Sequence, residues 1–496
     1  MRAGERGDQR HDPMLGHRRQ DAQAQPPPAR FVRSVKPGCA FAEQRAPRAH
    51  RKLPESLTTT WARLLLCNTR SAITKASRHL RPRHFSTALQ GGWHSMRKTK
   101  ITAWAVLAAF AGFLALGPGL ASAQSKEPIK VGMIQPLSGP IAAAGSYITN
   151  GAKIALDRVN AKGGVLGRPL ELIIEDNKSD PAETRNAAEK LIVRDKVPVI
   201  IGAWGSSMTL AMMPLAAQHG VPLVVETSSS GKITDPKTPG QKVVSRISPT
   251  SELEAVGAGA LIPKLGMKKI GYLAVNTDWG RGAVVAFGEA FKKNGASIEA
   301  VEYVGQADTD FYAQLTKFKA AGVDSVVITD DAPKAAKMLQ QMKELGLNVK
   351  VLVTGGSAWP DSIVQLAGAP AAEGAMFINF YNPYDFAMAG DPEASKAYVD
   401  EWKKRGLPWI GIVEGMRGFD AVNVVAKAIE SAKEPTAAKI HAALKTLEAR
   451  GLYGLNKFDQ NGQSYCNIIV TQVKDGKYSV VAITPSAKLW EMSAAK

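Results

Sequence analysis

Cysteine and histidine are scarce in this chain, and their scarcity excludes more chemistry than any motif admits. Of three cysteines in 496 residues, Cys39 and Cys67 lie in the first 95. Cys466 is alone in the remainder, so no disulfide can join that part of the chain to itself. It sits in the apolar run YCNIIV, the setting of a buried, inert thiol. Beyond residue 95 the histidines are His219, in AAQHGVP, and His441, in AAKIHAALKTL. Two isolated histidines and one cysteine make no metal-ligand spacing. A nucleophile elbow G-x-S-x-G is missing, and so is a phosphate loop GxxxxGK[ST]. The segment GAGALIPKLG fails the dinucleotide fingerprint because Ile262 stands in the last glycine's place. The expectation is a protein that is not an enzyme and carries no metal and no cofactor.

Excess positive charge is also missing where it would matter. The formal charge is +19, but residues 1–95 carry eighteen Lys and Arg against six Asp and Glu, and residues 96–123 add three basic side chains, which leaves +4 for residues 124–496. Nucleic-acid binding thereby loses its support. Residues 1–95 show neither helical nor strand periodicity and are expected not to fold. From Met96 the chain reads MRKTKITAWAVLAAFAGFLALGPGLASAQS, with a basic start, an apolar stretch from Ile101 to about Leu116 and the small-residue site Ala121-Ser122-Ala123. That is the pattern of a signal peptide over 96–123, and the Gly-Pro-Gly break argues against a membrane span. Export to the periplasm follows, with Met96 as the expected start. No cysteine follows the cleavage site, so no lipid anchor is expected there.

Between residues 124 and 496 the pattern is regular. IKVGMI, LELIIED, VPVIIGA, VPLVVE, KKIGYLAV, ASIEAVEYV, VDSVVITD and VKVLVTG are short apolar runs rich in Val and Ile. Strands buried on both faces read this way. Amphipathic segments such as YITNGAKIALDRVNAKG, AVVAFGEAFKKNG and PKAAKMLQQMKELG alternate with them and often close on Gly. The alternation predicts an α/β fold of two similar doubly wound parallel-sheet lobes, with a pause at RISPTSELEA between them.

Ligands bind such sheets outside the carboxyl ends of the strands. Two hydroxyl-rich strings stand there: GAWGSSMT after VPVII, and ETSSSGKIT after VPLVV. Gly205 lets backbone approach a ligand, and Ser206 and Ser207 lie where a helix begins, so hydroxyls and free N–H groups converge as a cradle for an anion. The plainer alternative is that these serines merely cap a helix.

The run IKVGMIQPLSGPIAAAGSYITNGAKIALDRVNAKGGVLGRPLELIIEDNKSDPAETRNAAEKLI resembles the opening of the leucine/isoleucine/valine-binding family, the periplasmic receptors of ABC importers. The similarity continues, more weakly, to about Gly462. It implies two lobes joined by three crossovers, placing 124–248 and 383–453 in lobe 1 and 249–382 and 454–496 in lobe 2. It also implies a monomer that closes on a small amino acid or organic acid and then meets a membrane permease and ATPase. Carried over by position, the carboxylate cradle falls on Ser206, Ser228 and Ser229, with Trp204 and Gly205 beside it and Trp279 of the second lobe as its cover. The acid that would grip an α-ammonium is replaced by Gly356, and a tyrosine of the family by Ala332. Asp278, Asp330, Asp331 and Glu226 are the acids able to substitute, and Asp331 could instead cap a helix. If none does, the ligand is an aromatic or aliphatic carboxylate without an ammonium, flanked by Trp204, Trp279, Trp359 or Tyr381. Arg417 is a further anion partner or a solvated helix residue. A sensing module feeding a membrane receptor remains the alternative to import.

Overall fold

The computed structural model describes residues 127–356 and 358–494; residues 1–95 and the expected signal segment 96–123 lie outside the described residues. Fourteen strands are described: β1 (Ile129–Gln135), β2 (Leu170–Asp176), β3 (Ile200–Gly202), β4 (Leu223–Val225), β5 (Val244–Arg246), β6 (Lys269–Val275), β7 (Ser297–Val304), β8 (Ser325–Thr329), β9 (Lys350–Val353), β10 (Met376–Asn379), β11 (Glu448–Arg450), β12 (Leu455–Lys457), β13 (Ile468–Lys474) and β14 (Lys477–Thr484). The helices that bear on the site are α1 (Ala142–Ala161), α2 (Ser206–Gln218), α3 (Ser251–Gly259), α4 (Asp278–Lys293), α5 (Ala332–Glu344), α6 (Pro360–Ala367) and α7 (Ile412–Ala432).

The first lobe is a five-stranded sheet of order β2-β1-β3-β4-β5, parallel throughout. The second is seven-stranded, β14-β13-β10-β9-β8-β6-β7. Its strands β6 to β10 are parallel, as their unbroken apolar runs predict, but β13 and β14 are antiparallel additions. These two meet at Asp475-Gly476, both with positive φ, the two-residue turn that suits the twist of a hairpin. β14 forms an edge and exposes Val480, Val481 and Ile483.

The chain passes between the sheets after β5, after β10 and between β12 and β13. Helix α7 returns to the first lobe and lies on α1 with almost no side chain between them. A Cβ on Gly151 would stand 1.7 Å from the Gly415 carbonyl, and one on Gly418 would stand 2.0 Å from that of Ile148. Only glycine permits that approach, and it sets α7, with Glu414 and Arg417, between the lobes. Cys466 is buried, and burial drives its thiol well above its ordinary value. Among the described residues no helix is long and apolar enough to cross a membrane.

Candidate ligand-binding site

β3 ends at Gly202 and β4 at Val225, so both hydroxyl strings emerge at one edge of the first sheet. Gly205 precedes α2 with φ +95° and offers no side-chain cap. The first-turn N–H groups of Ser206, Ser207 and Met208 therefore have no partner within the helix. Capping is not what the serines do. Ser206 Oγ accepts from the Ser230 N–H at 3.1 Å, stitching one string to the other. Ser228 Oγ donates to the Ala203 carbonyl at 2.8 Å and meets Thr209 Oγ1 at 2.8 Å. Ser229 Oγ donates to the Thr227 carbonyl at 3.2 Å.

Behind this wall stands Arg246, fully buried at the end of β5. Its guanidinium donates to the carbonyls of Ser228 (3.1 Å) and Ser230 (2.7 Å), to Thr234 Oγ1 (2.7 Å) and to Gln463 Oε1 (2.7 Å). Burial lowers its pKa to about 10. The second string is thus held in place by a residue that touches no ligand-facing surface.

The second lobe faces it with Trp279 from the first turn of α4 and with the loop after β9. Trp204 and Trp279 meet edge to face across the cleft, ring centroids 6.4 Å apart. Both rings are buried, and neither indole N–H has a hydrogen-bond partner. Trp204, Gly205, Ser206, Ser228, Ser229 and Trp279 line one cavity, joined by Thr227 and Gly355. A second cavity shares Trp204, Gly205, Ser206 and Trp279 and reaches Gln306, Asp330, Asp331 and Lys334. Each measures about 20 Å³, room for about one water molecule. A solute of amino-acid size enters only if the lobes move apart.

Contacts between the lobes hold them in this closed arrangement. Ser207 Oγ donates to Asp278 Oδ2 at 3.0 Å and accepts from the Asp278 N–H at 3.2 Å, while Lys232 Nζ pairs with Asp278 Oδ1 at 2.9 Å. Burial would raise Asp278, but Lys232 and Ser207 hold it below the usual carboxylate range. At the base, Arg417 donates to the Gly355 carbonyl at 3.1 Å and Ser251 N–H to the Ser229 carbonyl at 2.9 Å.

The acids named from sequence take different places. Asp278 is at the mouth in those contacts and lines neither cavity. Asp331 lines the second cavity and caps α5, accepting from the Lys334 N–H at 3.0 Å. Asp330 is buried beside Lys334, Nζ to Oδ1 2.7 Å. Burial outweighs that partner and pushes its carboxyl up to about 7. Glu226 is fully buried, accepts from Gln135 Nε2 at 2.6 Å, and is pushed up to about 7 by burial. Gly356 lines neither cavity: its φ is +64°, and a Cβ there would meet the Phe380 ring at 2.2 Å, so packing alone explains the glycine. Trp359 and Tyr381 pack away from both cavities, on Tyr384 and Tyr478 and on Ser395 respectively. Arg417 is not solvated; it is fully buried, with Nε 3.0 Å from Glu414 Oε2 but misaligned for a hydrogen bond.

Sequence reasoning passed over Arg246, Thr227, Gly355, Glu254 and Lys334. Glu254, fully buried on α3, accepts from the Gly355 N–H at 2.8 Å, and burial lifts it to about 7. One signal was legible: Arg246 interrupts the apolar stretch KVVSRIS, where a charge must find buried partners.

Residues 128–477 match the periplasmic binding protein family. The leucine-, isoleucine-, valine-, threonine- and alanine-binding protein of Pseudomonas aeruginosa is 27% identical over 369 residues, covering 74% of this chain and 93% of that protein. A leucine-binding protein of Thermotoga maritima is 29% identical, with a TM-score of 0.64, covering 72% of this chain and 99% of that one. A solute-binding protein of R. palustris in complex with 4-hydroxybenzoate is 23% identical with a TM-score of 0.65, covering 74% and 100%, a likeness of fold alone. These relatives are named as binding proteins. The chain belongs to the periplasmic binding protein family, with the two-lobe fold of its leucine-binding members.

Proposed function

We propose that this chain is the periplasmic receptor of an ABC importer and closes on a small carboxylate-bearing solute, in the first place an apolar amino acid. The observation that carries the reading is the paired wall at one sheet edge. Ser206, Ser228, Ser229 and Thr227 stand beside the open N-terminus of α2 and two unpartnered indole N–H groups. The free N–H groups of that helix end and of the two indoles, with no acid lining this cavity, favour a carboxylate. The first lobe receives it, and Trp279 with the Gly355 loop shuts over the remainder. A carboxylate without an ammonium is a second reading, favoured by the engagement of Asp278 and Asp331 within the protein.

Thermal-shift screening against amino acids and against ammonium-free aromatic and aliphatic acids tests both. A ligand at about 100 times its Kd stabilises by roughly 2.7 kcal/mol, a shift of several degrees. Ser206→Ala with Ser229→Ala abolishes binding while the melting transition stays cooperative; unchanged affinity would remove the cradle assignment.

A further inference from the structure

The second cavity shares the two tryptophans with the first but not Thr227, Ser228 or Ser229, and part of its lining is polar in a way the carboxylate reading leaves unused. Trp204 belongs to the first lobe and Trp279 to the second, and both line both cavities. The two cavities adjoin at these rings and open into one cleft when the lobes separate, Ser229 lining the first and Asp330 the second. Ile141, Met208 and Val275 give the second cavity an apolar girdle.

Among its lining residues Asp330 is 1% exposed. Its Oδ1 is doubly engaged, by Lys334 Nζ at 2.7 Å and by the Asp331 N–H at 2.9 Å, whereas the equally buried Oδ2 has no partner. Lys334 Nζ reaches one further acceptor, the Gly305 carbonyl at 3.4 Å, and carries three N–H bonds. A pair serving only to fasten α5 to the end of β8 would not require an orphan oxygen at a cavity wall. Buried ion pairs are costly and are often replaceable by apolar packing. Here two residues that line the cavity together hold an unfilled acceptor and a donor to spare, the complement of a hydroxyl.

We propose that this chamber is a recognition site for the ligand's far end, in which Asp330 and Lys334 select carboxylates that carry a hydrogen-bond donor, best a hydroxyl, opposite the carboxylate. The proposal rests on the reading of the Ser206–Ser229 wall as the carboxylate end, and it replaces the apolar amino acid as first-choice ligand by a carboxylate with a polar far end. A ligand ending in a bare ring or methyl group would cover Asp330 Oδ2 and leave it desolvated, an outcome that buried polar groups penalise at least ten-fold in affinity.

The test is titration calorimetry of the purified protein with matched probes, 4-hydroxybenzoate against benzoate and tyrosine against phenylalanine. In whichever pair binds, the hydroxyl-bearing member binds ten-fold or more tightly. In Asp330→Leu/Lys334→Leu, which removes both charges together, the ratio falls toward one. Should that variant fail to fold, Asp330→Asn keeps the shape and lowers the same ratio. Equal binding of the two members by the unaltered protein overturns this proposal and leaves the carboxylate reading standing. A ratio that survives in the variants also overturns it. An affinity for phenylalanine that depends on Asp330 assigns that carboxylate to an α-ammonium and overturns it as well. Binding of none of the four probes, nor of any acid in the thermal screen, overturns both readings.

Discussion

Two arginines are wholly buried near the cleft, and they sit in opposite surroundings. Arg246 meets only neutral acceptors, and each nitrogen of its guanidinium finds one. Arg417 meets carboxylates: Glu414 at 3.0 Å, with Glu254 and Glu226 close enough to act on it, while its Nε and NH1 lack hydrogen bonds. Its one hydrogen bond crosses to the opposite lobe, at Gly355. A fully matched guanidinium works as a fixed rivet within one wall. An incompletely matched one, surrounded by acids whose protonation can change, belongs to an interface that opens and shuts.

The sharpest break of this comparison is Arg246→Met. It leaves the Ser228 and Ser230 carbonyls and Gln463 without their donor, at roughly 1–3 kcal/mol for each group left buried. Urea denaturation should show a loss of about 4 kcal/mol or more, with little dependence on pH between 5 and 8. A loss under about 1 kcal/mol would mean that the second string holds its shape unaided.

Arg417→Met should cost less, about 3 kcal/mol at pH 8, where it strands ionised carboxylates. At pH 5 the acids pushed up by burial take protons instead, and the cost should shrink to about 1 kcal/mol. Equal losses at the two pH values would show that Arg417 is matched in the same sense as Arg246.

How much of this was legible in the sequence depends on separation along the chain. The hydroxyl strings could be read because each follows its own strand within a few residues, so local pattern fixed their place. The hairpin β13–β14 could not, since its antiparallel pairing depends on β10, about 90 residues earlier. Nor could the polar interior. Arg246 finds Gln463 217 positions away, and Glu254 finds the Gly355 N–H 101 positions away. The replacement of an expected acid by Gly356 suggested a change of ligand chemistry. The structure adds a steric cause in the Phe380 ring, which no local reading supplies.

Glu254→Gln sharpens the contrast from the acidic side. The ordinary carboxyl value is 4.5 and burial lifts Glu254 to about 7. The folded state therefore holds this proton more tightly than the unfolded chain does. The resulting stability is complete below about pH 4.5 and is lost as pH rises through 7. The glutamine variant has no such slope, so it should gain on the parent by roughly 2–3 kcal/mol between pH 5 and pH 8. Melting curves of the two at both pH values measure this, and parallel shifts would show that Glu254 does not titrate there.

The smallest effect belongs to the cleft mouth, where the charges are wet. Lys232 is 66% exposed and Asp278 33%, so their 2.9 Å ion pair is screened by salt. Lys232→Ala should change stability by less than about 1 kcal/mol. Its consequence is kinetic instead, because the pair joins the lobes only when they are closed. With a bound carboxylate, stopped-flow displacement should show faster release from the variant by a few-fold at low ionic strength, converging with the parent as salt is added. A release rate that ignores both the substitution and the salt would place the whole closing force at the buried base, where Arg417 reaches Gly355.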